Sequence, residues 1–198
     1  MIVSKKQVEV FFDYICPFCY RGLKHLREVK DNYPEIEFIY RATEVNPENE
    51  DKIVLDGETQ KRLKVFLNEA GLDFNPPYMP MGHTNHAFHA MNYIVAEQGE
   101  IDQYHHNVYQ AIFVEQKDIE DINVVLECAS DCGIDVEQLK QVLTLEDYTK
   151  QRQVDLEYAY LQNNIKYVPT LIAKDKRLDA IEALGFSKEQ LIEYLDSI

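Results

Sequence analysis

Cys16, Pro17, Phe18 and Cys19 follow directly on a short apolar segment, and this closely spaced cysteine pair constrains the chain more than any other feature. In the preceding segment Val8, Val10 and Phe12 alternate with Glu9 and Phe11, a buried-strand pattern that stops at Asp13 and Tyr14. Pro17 suits the first turn of a helix, where its missing N–H would have no partner in any case. The spacing predicts a helix over about Pro17 to Asn32. Its inward stripe is Cys19, Leu23, Leu26 and Val29, while Cys16 stands ahead of the first turn, at the exposed end. Glu37 to Ala42 reads as a second strand, so the chain opens as a parallel βαβ unit.

From Gly57 to about Asn163 the apolar period is helical almost throughout, with Gly71, Gly99 and Gly133 at positions suited to C-terminal caps. This predicts an all-helical insertion of several short helices, interrupted by the stretch Asn75 to Gly82, which Pro76, Pro77 and Pro80 keep out of helix. Strand pattern returns at Thr170 to Ala173, followed by a charged turn and by Leu178 to Ile181, which together read as an antiparallel hairpin. Ser187 and Gln190 have the spacing of a capping box for a last helix carrying Leu191, Ile192 and Leu195. The predicted order is βαβ, helical block, ββα. Residues 1–50 and 163–198 then form one domain, and 51–162 the insertion.

A cysteine at a helix N-terminus just behind a strand has a direct chemical use. The partial positive charge there stabilises a thiolate, which attacks a disulfide, and a second cysteine one turn along resolves the product. The same spacing also makes half of a zinc site, or two packed thiols. Zinc needs two further ligands. There is no second CxxC, and the best donors are His83, His86 and His89, spaced three apart. Redox chemistry is therefore the preferred reading, with no metal assigned. Cys128 and Cys132 form another pair, four apart near a helix end, and are read as packed small hydrophobes with a lesser alternative as an auxiliary redox or metal pair. The aromatic residues Phe66, Phe88 and Phe113 are read as core or groove lining.

Composition narrows the partners. The 198 residues carry 20 Lys plus Arg against 35 Asp plus Glu, a net charge of −15 that repels phosphate backbones and anionic membranes. No nucleic-acid or membrane partner is expected. The N-terminal residues lack the apolar segment of a secretory signal, and no stretch has the length of a membrane span, so a cytoplasmic location is expected. Cysteine usage of this kind fits a reducing compartment rather than a disulfide-stapled scaffold.

Pro169, at the start of an otherwise central strand, needs a reason, and a cis Val168–Pro169 peptide would supply one. With FFDYICPFCYRG at 11 to 22, RATEVNP at 41 to 47 and YVPTLI at 167 to 172, the chain resembles the thioredoxin superfamily, and within it the DsbA-like, FrnE-type thiol-disulfide oxidoreductases. The resemblance implies a thioredoxin fold with a helical insertion. It implies Cys16 as nucleophile, Cys19 as resolving thiol and a cis-Pro169 loop facing them. Val168 would offer its backbone to an extended substrate segment, and Pro17 and Phe18 would line the same site. Asp13, Glu44 and Asn46 match family positions near it. In the insertion, TNHAFHA (84 to 90) keeps the family's His89, a further candidate for substrate contact, but lacks the arginine that usually follows.

No bound cofactor is required, because the cysteine pair is itself the redox centre, and glutathione is admitted as a co-substrate. The expected partners are protein or small-molecule thiols and disulfides, acted on by a monomer or homodimer. With no His or Lys between the cysteines and Asp13 close by, a milder oxidant than a histidine-containing site is expected. Two other readings stand beside this one. The first is a glutathione-dependent isomerase or transferase of the kappa-class or 2-hydroxychromene-2-carboxylate isomerase type, which usually carries serine where Cys16 stands. The second is a non-catalytic peptide-binding holdase.

Overall fold

Central strands of mixed sheets are covered on both faces, and their sequences lose the polar alternation of an exposed sheet. The first strand, β1 (Lys6–Phe12), is of this kind, with Val8, Val10, Phe11 and Phe12 all buried. The structure, a computed structural model, describes residues 5–45, 47, 54–75, 82–145, 147–180 and 185–198. Parallel pairing of β1 with β2 (Ile36–Ala42) demands a crossover. It is supplied by α1 (Pro17–Val29), which tightens into a 3-10 turn over Lys30–Asn32.

The sheet order is β2-β1-β3-β4, where β3 is Thr170–Ala173 and β4 is Lys176–Asp179. β3 runs antiparallel to β1, with Val10 opposite Leu171, and β4 runs antiparallel to β3. The hairpin turn is tighter than the sequence suggested. Ala173 pairs with Lys176, so Lys174 and Asp175 alone make the turn, Lys174 takes a positive φ of 54°, and β4 begins two residues before Leu178. Ile181 lies outside the described residues. The last helix, α8 (Lys188–Ser197), packs against α1 and begins with the expected capping box: Ser187 Oγ accepts from Gln190 N while Gln190 Oε1 accepts from Ser187 N.

Between β2 and β3 the described residues form α2 (Gly57–Glu69), α3 (Asn85–Ala96), α4 (Ile101–Phe113), α5 (Ile122–Ala129), α6 (Val136–Leu145) and α7 (Thr149–Leu156), which continues as a π-helical turn over Glu157–Gln162. Asp56 caps α2 and Asp121 caps α5 through backbone N–H groups of their first turns, as their short acceptor side chains allow. Gly71 and Gly133 take positive φ, as capping glycines do. Gly99 does not. The left-handed residue of that turn is Gln98, at φ 57°, and Gly99 is needed for close approach instead: a Cβ there would stand 2.8 Å from the carbonyl oxygen of Cys132.

The chain divides into two compact units, Met1–Val45 with Gln153–Ile198, and Asn46–Arg152. The sequence boundaries at 50/51 and 162/163 differ from these because the end of the long helical stretch belongs with the sheet. Tyr158 Oη donates to Glu9 on β1 at 2.8 Å, and Tyr160 Oη donates to the carbonyl of Glu44 behind β2 at 2.5 Å. The helical unit has its own core, built around Leu67, Phe88, Met91, Tyr104, Phe113 and Leu139.

Candidate functional site

β1 ends at Phe12, and the chain turns through Asp13, Tyr14 and Ile15 to deliver Cys16 to the mouth of α1. That turn is held from two sides. The Asp13 carboxylate accepts from Ile15 N at 3.4 Å and from Val45 N at 2.8 Å, and the Asp13 carbonyl accepts from Cys16 N at 3.3 Å. Cys16 is the N-cap of α1, with extended backbone (φ −90°, ψ 112°), Pro17 at the first helical position and no acidic residue in the first turn. No side-chain hydrogen bond caps the helix, and the positive end of its dipole lies at Cys16.

The two sulfurs occupy different surroundings. Cys19 is fully buried, and its thiol is pushed well above its ordinary range, first by burial and then by its interaction with Cys16. Cys16 is 7% exposed, so the sequence expectation of an exposed end is corrected: Tyr14, Ile15 and Pro17 around it are all buried, and a sliver of the residue reaches the surface. Both are free thiols. Cys16 Sγ lies 3.6 Å from the carbonyl oxygen of Val168, whose peptide bond to Pro169 is cis. The structure thus brings Cys16, Cys19, Pro17, Val168 and Pro169 together, with half-buried Phe18 in the first turn of α1 between the cysteines.

One glycine makes room for this arrangement, and a second supplies a positive φ beside it. A Cβ on Gly22 would stand 2.9 Å from Pro169 Cγ and 3.3 Å from Phe186 Cζ, so α1 reaches the proline loop only because residue 22 has no side chain. Gly185, at φ 69°, passes over Phe18 with an ideal Cβ 3.5 Å from the Phe18 Cβ. The sequence offered one signal for Gly22, a glycine inside an otherwise strong helix pattern. It offered none for Tyr160, which is one of 13 tyrosines.

The other candidates fall elsewhere. His89 is in the helical unit, stacked on Tyr148 with ring centroids 4.9 Å apart. His86 Nδ1 lies 2.9 Å from the carbonyl oxygen of Glu120, and His83 N donates to the Glu120 carboxylate at 2.7 Å. Among the described residues no group of three or more His, Cys, Asp or Glu side chains is placed to hold a metal ion. Cys128 and Cys132 are both buried, and both thiols are pushed up to about 12, first by burial and next by the carboxylates of Glu127 and Asp131 respectively. Cys132 lies beyond the end of α5, with Sγ 3.5 Å from the carbonyl oxygen of Cys128. Glu44 is buried behind β2, while Asn46 and the stretch 76–81 lie outside the described residues. Among the described residues no helix is long and apolar enough to cross a membrane.

Comparison with known proteins places the chain by family and fold. The chain is 28% identical over 174 residues to the uncharacterized protein YwbO of Bacillus subtilis (strain 168), covering 85% of this chain and 86% of the relative. Its fold is similar to that of the probable DsbA oxidoreductase SCO1869 from Streptomyces coelicolor, with a TM-score of 0.77 at 19% identity over 97% of this chain and 89% of the other. It is also similar to the cytosolic disulfide reductase DsbM from Pseudomonas aeruginosa, solved with GSH, with a TM-score of 0.71 at 14% identity over 97% and 100%. The pattern of the DSBA-like thioredoxin domain matches residues 7–195. The chain belongs to the DSBA-like thioredoxin-domain family, and its fold is a thioredoxin fold carrying a helical insertion.

Proposed function

We propose that the protein is a cytoplasmic thiol-disulfide oxidoreductase that works by exchange through Cys16 and Cys19 and runs chiefly as a disulfide reductase or isomerase. The observation that carries this reading is the asymmetry of the pair. Cys16 stands at an uncapped helix N-terminus, 3.6 Å from the Val168 carbonyl, and the fully buried Cys19 waits behind it. The Cys16 thiolate attacks one sulfur of a substrate disulfide, forming a Cys16–substrate bond and expelling the other sulfur as a thiolate. Cys19 then gives up its proton and attacks Cys16 Sγ, which releases the second substrate sulfur and leaves the Cys16–Cys19 disulfide. Two electrons have passed from the pair to the substrate. The backbone of Val168, beside Cys16, would offer an extended substrate segment a strand-like partner.

Glutathione is the small thiol we assign to reset the pair, two molecules being oxidised to one glutathione disulfide for each pair reduced. The description of DsbM as a cytosolic disulfide reductase solved with GSH supports that assignment and the compartment. The test is reduction of insulin disulfides with glutathione as electron source. The wild type is expected to turn over, and Cys16→Ser to show no rate above the uncatalysed background. Turnover that survives the substitution contradicts the proposal.

A further inference from the structure

Among the described residues the sheet ends on one side at β4 and on the other at β2, which pairs with β1 alone. An exposed edge is a template for a further strand, and chains blunt such edges with Lys, Pro or a short strand. β4 follows that rule, being four residues long and opening with Lys176 and Arg177. β2 does not. It runs for seven residues, IEFIYRA, without Lys or Pro, and Phe38, Ile39, Tyr40 and Arg41 are each half-buried. Its backbone has a fixed parity, because in a parallel ladder alternate residues turn both N–H and C=O to the neighbour and those between turn both away. Lys6 N donates to the Glu35 carbonyl at 2.9 Å and Thr43 N to the Phe12 carbonyl at 3.0 Å, so Glu37, Ile39 and Arg41 face β1 while Phe38, Tyr40 and Ala42 face outward. Ile36 is also at an outward position, but its N–H is taken by the Tyr33 carbonyl at 2.9 Å.

We propose that β2 is a homodimer interface: two copies of this chain join edge to edge through antiparallel β2 strands, with Ile39 on the two-fold axis, so that two four-stranded sheets become one. An antiparallel copy centred on Ile39 pairs every residue of the strand and meets its parity. Phe38 stands opposite Tyr40 of the second copy and exchanges N–H···O=C bonds with it, and the symmetric pair does the same. Ile39 meets Ile39 across the axis, and Glu37 meets Arg41 twice. The occupant is a second copy because the strand is complementary to itself, in charge at positions 37 and 41 and in aromatic pairing at 38 and 40. Within its own chain Arg41 Nε reaches Glu9 at 2.7 Å and Glu37 accepts from Gln7 at 2.9 Å. A guanidinium carries five N–H donors and a carboxylate about four acceptor sites, so both can serve a second partner. The net charge of −15 opposes association. Salt of about 0.15 M shortens the reach of that repulsion to about 8 Å and leaves the adjacent Glu37–Arg41 pairs in force.

The experiment is analytical ultracentrifugation of the full-length protein from about 1 μM to about 1 mM in about 0.15 M salt, where a reversible dimer is expected. Glu37→Lys, which sets like charges opposite each other twice per dimer, is expected to raise the dissociation constant about tenfold or more, with the melting temperature little changed. A second variant reads the register. Ile39→Cys, in a chain that also carries Cys16→Ser and Cys19→Ser, is incubated with glutathione disulfide. Directly opposite residues of a non-hydrogen-bonded pair have Cα atoms about 4.5 Å apart, within disulfide reach. Two thiols, one from each copy, are expected to lose two electrons and two protons to glutathione disulfide, giving a bond from position 39 to position 39 and two glutathione thiols. A chain that stays monomeric across the concentration range overturns the proposal. So does a dimer whose dissociation constant Glu37→Lys leaves unchanged, or one in which position 39 does not cross-link to itself.

Discussion

In the proposed exchange, Cys19 reacts second because of where it sits. With no surface of its own and a thiol pushed up by burial, it would stay silent in that exchange until Cys16 had captured a substrate sulfur. The timing depends on Cys16 staying within reach of the proline loop, and Gly22 makes that approach. A Gly22→Ala change gains about 1 kcal/mol of helix propensity, but its methyl carbon would stand 2.9 Å from Pro169 Cγ. We expect insulin turnover to fall by about tenfold or more, since small misplacements of reacting groups carry penalties of that order, while the thermal midpoint changes little. Turnover equal to the wild type would show that the proline loop has room to give. The cysteines and the proline were readable because their chemistry is written in residue type and spacing. The Asp13–Val45 bond was not, because an acceptor and a backbone N–H on different elements leave no trace in the sequence.

The element that ties the end of the helical stretch to the sheet is the π-helical turn over Glu157–Gln162. Tyr158 Oη donates to both oxygens of Glu9, at 2.8 and 3.0 Å, Arg41 Nε reaches the same carboxylate at 2.7 Å, and the Arg41 guanidinium lies 4.9 Å from the Tyr158 ring centroid. Removing the hydroxyl with Tyr158→Phe leaves Arg41 on Glu9 and takes away one bond to a charged acceptor. Urea unfolding is expected to show a loss of about 1.5 kcal/mol, with the midpoint potential of the cysteine pair unchanged. An unchanged urea midpoint would mean that water replaces the hydroxyl at no cost. Apolar period, with Pro17 at the start of α1 and the Ser187–Gln190 capping box at the start of α8, marked β1, α1 and α8 closely, because each buries a regular stripe. It could not mark the switch from α to π geometry at Glu157, nor the two-residue turn that starts β4 at Lys176, because both are set by what the segment pairs with.

Among the described residues, burial holds several weakly acidic side chains neutral into alkali: Cys19 and Tyr104 are pushed well above their ordinary values, and Cys128, Cys132, Tyr160 and Tyr194 up to about 12. In the unfolded chain cysteine ionises near about 8.5 and tyrosine near about 10. Between those values and about 12 the unfolded state therefore binds fewer protons than the folded state, and stability falls as pH rises. Urea midpoints measured from pH 8 upward should decline through this window, and a flat profile to pH 11 would contradict the burial of these groups. Pushed up to about 12, the Cys128 and Cys132 thiols carry little thiolate near neutrality, which leaves the proposed exchange to the Cys16–Cys19 pair. The most direct measurement is a peptide map by mass spectrometry of the Cys19→Ser protein after brief exposure to a disulfide peptide. The account predicts one trapped mixed disulfide, on Cys16. A trapped peptide on Cys128 or Cys132, or none at all, would contradict it.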